Sequence, residues 1–235
     1  MRQRVAGTKQ FETPDGFTMR RPEECRISER FARAVYEADL VLRVDEMASS
    51  RPGCIVDGGA HIGHHTLRWT AEGHTVHAFE PCTRLRHLLK ENWELNADLC
   101  SEGMLHLHSC ALGAERAPGF WFQPEADNTA DTRVSQNPSK GSRPPGLSRC
   151  IIWPLDDRML ERNEPVAVIK LDVEGMEMEA LAGARGILDR DRPSLFIECG
   201  KTDLQEVLDF LEPWEYTAVQ EFAKTPTWHL ESNDR

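Results

Sequence analysis

The sequence lacks the cysteine patterns that mark disulfide frameworks and zinc clamps. Its seven cysteines are odd in number and scattered, and no two of them are spaced as Cys-x-x-Cys. The first sixteen residues also lack the apolar core of a secretory signal. Both absences point to a reducing compartment, so we expect a cytoplasmic protein.

Long apolar runs and an excess of positive charge are missing as well. No run approaches the ~18 apolar residues that cross a bilayer, so we expect no membrane span. The chain has 28 Lys and Arg against 39 Asp and Glu, a net charge of −11. Because a field of that sign repels phosphate backbones, a long nucleic-acid duplex is not an expected partner.

What is present is an ordinary globular composition with a strong local pattern. Hydrophobic residues make up 40% and charged residues 29% of 235 residues, which suits one large domain. Short apolar runs alternate with longer amphipathic stretches, so we predict βαβ units and a parallel sheet. The predicted strands cover residues 54–59, 75–80, 104–113, 166–173 and 193–199, and a closing hairpin covers 214–221 and 225–231.

The ends of the chain and one internal segment differ from this pattern. Residues 1–50 are predicted to form a helical extension, with a helix over 27–48, and residues 51–235 the main domain. Residues 114–150 are rich in Pro, Gly, Ser, Asn and Asp. Because so long a loop in a compact domain is usually functional, we predict a substrate loop or lid there.

The stretch VDGGAHIG at 56–63 has the clearest ligand-binding pattern. Asp57 ends a predicted strand, and the glycines after it let the backbone pass close to a ligand before a helix begins. A dinucleotide fingerprint would need Gly-x-Gly-x-x-Gly. Counted from Gly59, however, His61 and His64 stand where the second and third glycines belong. The pattern therefore disfavours a pyrophosphate ligand.

Two carboxylates indicate which ligand this loop takes. Asp57 would repel a diphosphate but favours an amino group or a sulfonium cation, and S-adenosylmethionine carries both. Glu80 lies 23 residues later and ends the next predicted strand. From that position a carboxylate can accept both hydroxyls of an adenosine ribose. The pair predicts S-adenosylmethionine as the cofactor.

A second constellation lies in IKLDVEGMEMEALAGA at 169–184. Alternation along the strand puts Lys170, Asp172 and Glu174 on one face, at the carboxyl end where ligands of such sheets bind. A lysine and two acids in an otherwise apolar strand are costly unless they are paired or used. Two interpretations are open: a functional cluster, or an ion pair that fixes the end of the sheet.

The blocks DGGAHIGHHT, HAFEP, PLDD, VIKLDVEGMEMEALAGA and LFIEC resemble, in order and spacing, the signatures of the FkbM family of methyltransferases. The resemblance covers roughly residues 27–200. It implies the class I methyltransferase fold, which is a doubly wound, mostly parallel seven-stranded α/β sheet with an antiparallel edge hairpin. It also implies methylation, by S-adenosylmethionine, of a hydroxyl group on a small molecule, sugar, lipid or natural-product scaffold.

The resemblance also implies roles for single residues. Asp57, Gly59 and Gly63 match the cofactor loop, Glu80 matches the ribose acid, and Asp172 and Glu174 match the acidic pair. His61 departs from the family, which usually has Asn there. The residues that we expect to contact the cofactor are Asp57, Gly58, Gly59, Ala60, His61, Gly63, Glu80, Pro81 and Ala111.

For catalysis we expect an acidic cluster with a lysine and no metal ligand. An alcohol loses its proton as it attacks, so a nearby base helps. The expected residues are Lys170, Asp172, Glu174 and Glu198. The expected partner is a small-molecule acceptor, bound under residues 114–150, and self-association into a homo-oligomer is left open.

Three alternatives stay open at this point. His61, His64 and His65 have the helical spacing of metal ligands, and Asp172 and Glu174 would complete the site of a metal-assisted O-methyltransferase. A second alternative is an adenosyl-binding protein without catalysis. The third, a nicotinamide oxidoreductase, is opposed by the missing glycines.

Overall fold

The structure is a computed structural model that describes residues 7–23, 34–122, 133–135, 147–222 and 226–233. Within these ranges the strands are β1 (Thr8–Glu12), β2 (Thr18–Pro22), β3 (Cys54–Gly58), β4 (Thr75–Phe79), β5 (Met104–His108), β6 (Ala111–Leu112), β7 (Ala117–Phe122), β8 (Arg133–Ser135), β9 (Ser148–Trp153), β10 (Val166–Leu171), β11 (Ser194–Glu198), β12 (Tyr216–Phe222) and β13 (Thr227–Ser232). The α-helices are α1 (Ala38–Ser49), α2 (His64–Ala71), α3 (Thr83–Leu95), α4 (Leu155–Met159), α5 (Glu177–Ala182), α6 (Arg185–Asp191) and α7 (Leu204–Leu211).

A mixed sheet of seven strands forms the centre of the molecule, in the order β12-β13-β11-β10-β3-β4-β5. Strands β11, β10, β3, β4 and β5 are parallel, whereas β13 runs antiparallel to β11 and pairs with β12 as a hairpin. Strand β10 lies fourth in the order, and all six of its residues are buried. The α/β class, the seven strands and the antiparallel edge hairpin agree with the sequence prediction.

Helices pack against both faces of this sheet, because successive residues of its strands point to opposite sides. On β3, Val56 joins a core cluster with α4, α5, α6 and α7, whereas Ile55 joins a second cluster with α1 and with Trp69 of α2. The carboxyl ends of β3, β4 and β10 are thereby fixed from both sides. No helix in the described ranges is long and apolar enough to cross a membrane.

A second sheet of four strands, in the order β6-β9-β7-β8, corrects two predictions. The alternating run 104–113 was predicted as one strand, but the chain leaves the central sheet after His108, and β6 pairs with β9 instead. The segment 114–150 was predicted as a loop, but its described parts contain β7, β8 and the first residues of β9. The rest of that segment lies outside the described residues.

The first fifty residues are not purely helical, which corrects another prediction. Strands β1 and β2 form an antiparallel hairpin, with Thr8 opposite Pro22. The predicted helix over 27–48 begins only at Ala38, and residues 24–33 lie outside the described ranges. The hairpin escaped prediction because Phe11 and Met19 are almost its only apolar strand residues, too few for a visible alternation.

The backbone of β2 is bound by the side chains of Asn92 in α3 and of Asn96, the residue after α3. Asn96 accepts from the amide of Thr18 and donates to its carbonyl, both at 2.8 Å. Asn92 does the same for Arg20, at 2.5 Å and 3.0 Å. These four hydrogen bonds fix the hairpin to the main domain.

Candidate functional site

A cavity opens where β3, β4 and β10 end. All of the residues predicted for the site line it except Gly58 and Gly63. The lining residues from the prediction are Asp57, Gly59, Ala60, His61, Glu80, Pro81, Ala111, Lys170, Asp172, Glu174 and Glu198. The topology therefore brings both motifs, the glycine loop and the acidic cluster, to one place.

Gly58 and Gly63 lie behind the cavity wall. A Cβ on Gly58 would lie 2.8 Å from the side chain of Leu171. Gly63, with φ +87°, precedes α2, and a Cβ there would lie 2.7 Å from Leu67. Both glycines let the backbone pack closely, and neither faces the cavity.

Gly59 is where the glycine loop is tightest. Its φ is +81°, and a Cβ there would lie 1.8 Å from the carbonyl oxygen of Asp172. The amides of Gly59 and Ala60 both donate to the carbonyl of Phe79, at 3.0 and 3.1 Å. The loop after β3 is thus held against the ends of β10 and β4, and this position requires glycine.

Lys170 is buried between two carboxylates. Its Nζ lies 3.4 Å from Oδ1 of Asp57 and 3.5 Å from Oδ2 of Asp172. Burial alone would lower the pKa of Lys170, but Asp57 and Asp172 outweigh burial and raise it. The lysine is therefore charged and bridges the ends of β3 and β10.

Asp57 has one carboxylate oxygen in a hydrogen bond and the other beside Lys170. Its Oδ2 accepts a hydrogen bond of 2.6 Å from the hydroxyl of Thr66. Its Oδ1 is buried and accepts no hydrogen bond from the described residues, although Lys170 is close. Because Asp57 lines the cavity, its carboxylate adds negative charge there, which suits a cation such as the amino group of a ligand.

Glu80 is held by the backbone at the end of β4. Its two oxygens accept from the amide of His61 at 2.9 Å and from that of Cys82 at 2.7 Å. Burial raises the pKa of Glu80 to about 7, although both amides and Arg86 act in the opposite direction. Each oxygen keeps a second lone pair, so this side chain can still accept from a hydroxyl in the cavity.

Glu174 does not join Lys170, which corrects the predicted grouping of three charges on one face. Its backbone has φ +58°, and its carboxylate pairs with Lys201 at the outer edge of the cavity. The loop that carries it is held by Glu177, whose Oε1 accepts from the amides of Val173 and Gly175, both at 3.1 Å. The chain bends after Asp172, so strand alternation no longer applies.

Glu198, at the end of β11, contributes a protonated acid. Burial raises its pKa to about 8, and the charges of Asp172, Glu174 and Glu177 add to that effect, whereas Lys170 opposes it. At neutral pH this side chain can donate a hydrogen bond into the cavity. The cluster therefore presents a cation, carboxylates and a neutral acid side by side.

One wall of the cavity was missed by the sequence prediction. Tyr36 and Glu37, which precede α1, line it together with His65 of α2. Nε2 of His65 lies 3.3 Å from Oε2 of Glu37, and the ring of Tyr36 stacks on that of His65 at 6.3 Å. Burial acts to raise the pKa of Glu37, but the nearby His65 holds that pKa below its usual value. The sequence gives no signal for these contacts, since the residues fell inside a predicted helix.

The three histidines of the glycine loop do not form a metal centre with the acidic cluster. No three of the residues predicted for such a centre have ligand atoms within 4.8 Å of one another. Those residues are His61, His64, His65, Asp172 and Glu174. His64 instead lies with Nε2 3.2 Å from the carbonyl of Tyr36. Burial, with Arg68 and His65, lowers its pKa well below the ordinary value.

Comparisons with solved structures show similar folds. Methyltransferase FkbM from Methylobacillus flagellatus KT superposes with a TM-score of 0.56 at 21% identity, over 77% of this chain and 43% of that chain. An rRNA methylase from Streptococcus thermophilus gives 0.48 at 16% identity, over 81% and 94%. The chain thus spans less than half the length of the first of these proteins. No curated protein matches the sequence.

A family model identifies the chain. The model of the methyltransferase FkbM domain matches residues 57–218, well over half of the sequence. The matched region begins at Asp57 and includes the glycine loop, Glu80, the Lys170 cluster and Glu198. The chain therefore belongs to the FkbM methyltransferase domain family.

Proposed function

We propose that this protein is an S-adenosylmethionine-dependent methyltransferase that methylates a hydroxyl group on a small molecule, sugar or natural-product scaffold. The observation that carries the proposal is that Asp57, the loop at Gly59 and Glu80 line one cavity together with Lys170 and Asp172. The strand order and the helices on both faces support assignment of residues 51–235 to the doubly wound class I fold.

In the proposed complex, two carboxylates select the cofactor. Asp57 would accept from its amino group, and Glu80 from its ribose hydroxyls, while the loop at Gly59 lies beside both. His61, Pro81 and Ala111 line the same part of the cavity. When bound, S-adenosylmethionine supplies an electrophilic methyl group on a positively charged sulfur. The carboxylates also suit that positive charge.

The acidic cluster is proposed to bind and deprotonate the acceptor. Methyl transfer depends mainly on alignment of the nucleophile, and an alcohol also needs a base. Asp172 is suited to this role because its side chain is 38% exposed and is held by Lys170. Glu198, protonated at neutral pH, would donate to a second oxygen of the acceptor. Val134 of β8 lines the cavity, which supports a role for residues 114–150 in covering the substrate.

Calorimetric titration with S-adenosylmethionine tests the cofactor, with NAD as the control ligand. Saturable binding of S-adenosylmethionine alone is expected, and no binding of either ligand would contradict the proposal. Glu80→Ala should weaken binding by about 1–3 kcal/mol, the typical cost of unpaired buried hydroxyls. Glu102→Ala, an exposed acid before β5, is the matched control and should bind normally.

Turnover tests the acidic cluster. With an acceptor found by screening for S-adenosylhomocysteine release, Asp172→Asn should lower kcat by at least about tenfold, because general bases typically contribute 10²–10⁴-fold. Its affinity for S-adenosylmethionine should change little. Equal turnover would remove Asp172 from catalysis, and binding without any turnover across a broad acceptor screen would favour the non-catalytic adenosyl-binding alternative.

A further inference from the structure

A second group of chemically reactive side chains lies away from the cavity. Cys54 is the first residue of β3, His77 lies in the middle of β4, and Glu164 precedes β10. The Cys54 sulfur, an imidazole nitrogen of His77 and a Glu164 carboxylate oxygen all lie within 4.8 Å of one another. Asp57 of the cavity is three residues further along β3, about 10 Å away at ~3.3 Å per residue.

We propose that Cys54, His77 and Glu164 bind a divalent transition-metal ion of the zinc type. Thiolate, imidazole and carboxylate are the ligands that zinc takes in proteins, and three protein ligands leave a fourth position for water. Cys54 and His77 lie on the paired strands β3 and β4, and Glu164 lies two residues before Val166, which is opposite Cys54 in the pairing of β10 with β3. An ion there would join the amino-terminal ends of β3 and β10 to β4.

The charges of the site suit a divalent cation. Cys54, once deprotonated, and Glu164 supply two negative charges, and His77 binds as a neutral ring. Arg190 lies close, with its guanidinium 2.9 Å from the carbonyl of Glu164, but it is paired with Asp191 at 2.6 Å. Burial raises the pKa of the Cys54 thiol to about 12, so metal binding releases one proton from sulfur.

Access and ring orientation also fit. Cys54 and His77 are fully buried, but the Glu164 side chain is 30% exposed and opens the site to solvent. Nε2 of His77 lies 3.0 Å from Oε2 of Glu164, and its Nδ1 lies 3.0 Å from Nε2 of His108. His108 can accept the Nδ1 proton of a metal-bound His77, the usual outer contact of a ligating histidine, once its own proton is on Nδ1 and Arg158, 3.4 Å from that nitrogen, has turned away.

The same contacts define the competing arrangement. Arg158 lies 3.4 Å from Nδ1 of His108. If Arg158 donates to His108, then His108 donates to His77 and His77 donates to Glu164, and every ring is neutral and satisfied without an ion. In that arrangement the His77 proton is on Nε2, whereas metal binding requires it on Nδ1.

Cobalt is the probe that separates the two arrangements. The full-length protein, freed of metal with a chelator, is titrated with Co²⁺ alone and followed by absorption. The proposal expects one equivalent to produce a thiolate-to-cobalt charge-transfer band with intense visible bands of a four-coordinate ion, and Zn²⁺ to abolish them. Absence of the charge-transfer band in the wild type would leave only the hydrogen-bonded chain and overturn the proposal.

Variants assign the band to these residues. Cys54→Ser should lose the charge-transfer band, and the partly exposed Glu164→Gln should weaken Co²⁺ binding at least tenfold while the protein stays folded by circular dichroism. The matched controls are Cys199→Ser, at the end of β11, and Glu161→Gln, an exposed neighbour, which should both keep the band and the affinity. If Cys199→Ser loses the band, or if Glu164→Gln binds normally, the site is not the one proposed. The outcome is independent of S-adenosylmethionine binding.

Discussion

The cavity has a floor and a rim that use the same residue types in different surroundings. On the floor, which is formed by Asp57, Gly59 and Lys170, the ion pair is almost fully buried, with exposures of 1% for Asp57 and 3% for Lys170. Glu174 lines the cavity at its outer edge, and we call it the rim together with its neighbours Gly175 and Lys201, where the lysine side chain is 34% exposed. The same pairing of lysine with acid therefore has different energetic consequences in the two places.

Desolvation explains the difference. A buried charge that loses its partner leaves an uncompensated ion in a low-dielectric setting, whereas an exposed partner is replaced by water. On the floor, the ion pair with Lys170 and the hydrogen bond from Thr66 hold both oxygens of Asp57. The rim ion pair can therefore rearrange at little cost.

Replacing Lys170 on the floor and Lys201 on the rim, one at a time, should give the largest difference in unfolding free energy between the two regions. Lys170→Met should lower the free energy of unfolding by about 3–5 kcal/mol, because Asp57 stays buried without its cation. Lys201→Met, the matched variant on the rim, should cost less than about 1 kcal/mol. Urea denaturation of both variants gives the two values, and similar losses would contradict the distinction between floor and rim.

Gly59 on the floor and Gly175 on the rim allow the same comparison of unfolding free energies for a change in the backbone. Both have positive φ, +81° for Gly59 and +100° for Gly175, so alanine is strained at each. At Gly59 a Cβ would also overlap the carbonyl of Asp172, whereas at Gly175 its nearest neighbour is Lys201 at 3.7 Å. Gly59→Ala should cost about 3 kcal/mol and Gly175→Ala about 1 kcal/mol. Equal unfolding midpoints would show that the close approach at Gly59 relaxes freely.

Substitution of Glu198, beside Asp172 and Glu174, should have the smallest effect of these variants on the free energy of unfolding, and that effect depends on pH. Its folded-state pKa of about 8 lies above the ordinary value of 4.5, so the folded protein keeps a proton that the unfolded chain loses. Stability from this group therefore falls as pH rises from about 4.5 to 8. Glu198→Gln should be more stable than the wild type by about 1–2 kcal/mol at pH 8 and equal to it near pH 4. A pH-independent difference in unfolding free energy would contradict the raised pKa.

The residues of the floor could be predicted from the sequence because they lie next to the ends of strands that have strong local patterns. Asp57, Glu80, Lys170 and Glu198 each end or nearly end a short apolar run, and a parallel sheet brings such ends together at one edge. The seven strands and the edge hairpin follow from the same runs. Their placement required no knowledge of long-range contacts.

The parts that could not be predicted depend on contacts between distant segments. Glu37 reaches the cavity because it faces His65, 28 residues later, and nothing near Glu37 marks that meeting. The split of 104–113 after His108 depends on β9, about 40 residues further on, which offers β6 a partner in another sheet. The turn at Glu174 depends on Glu177 binding two backbone amides, a local contact that strand alternation ignores.

The two asparagines that bind β2 at the end of α3 have a consequence for self-association. A two-stranded hairpin has two outer edges, one on each strand, whose unpaired amides and carbonyls can recruit a strand from another molecule. Here Asn92 and Asn96 occupy the outward groups of Thr18 and Arg20 as a neighbouring strand would. The two asparagines thereby close the β2 edge of the hairpin to a strand from another molecule.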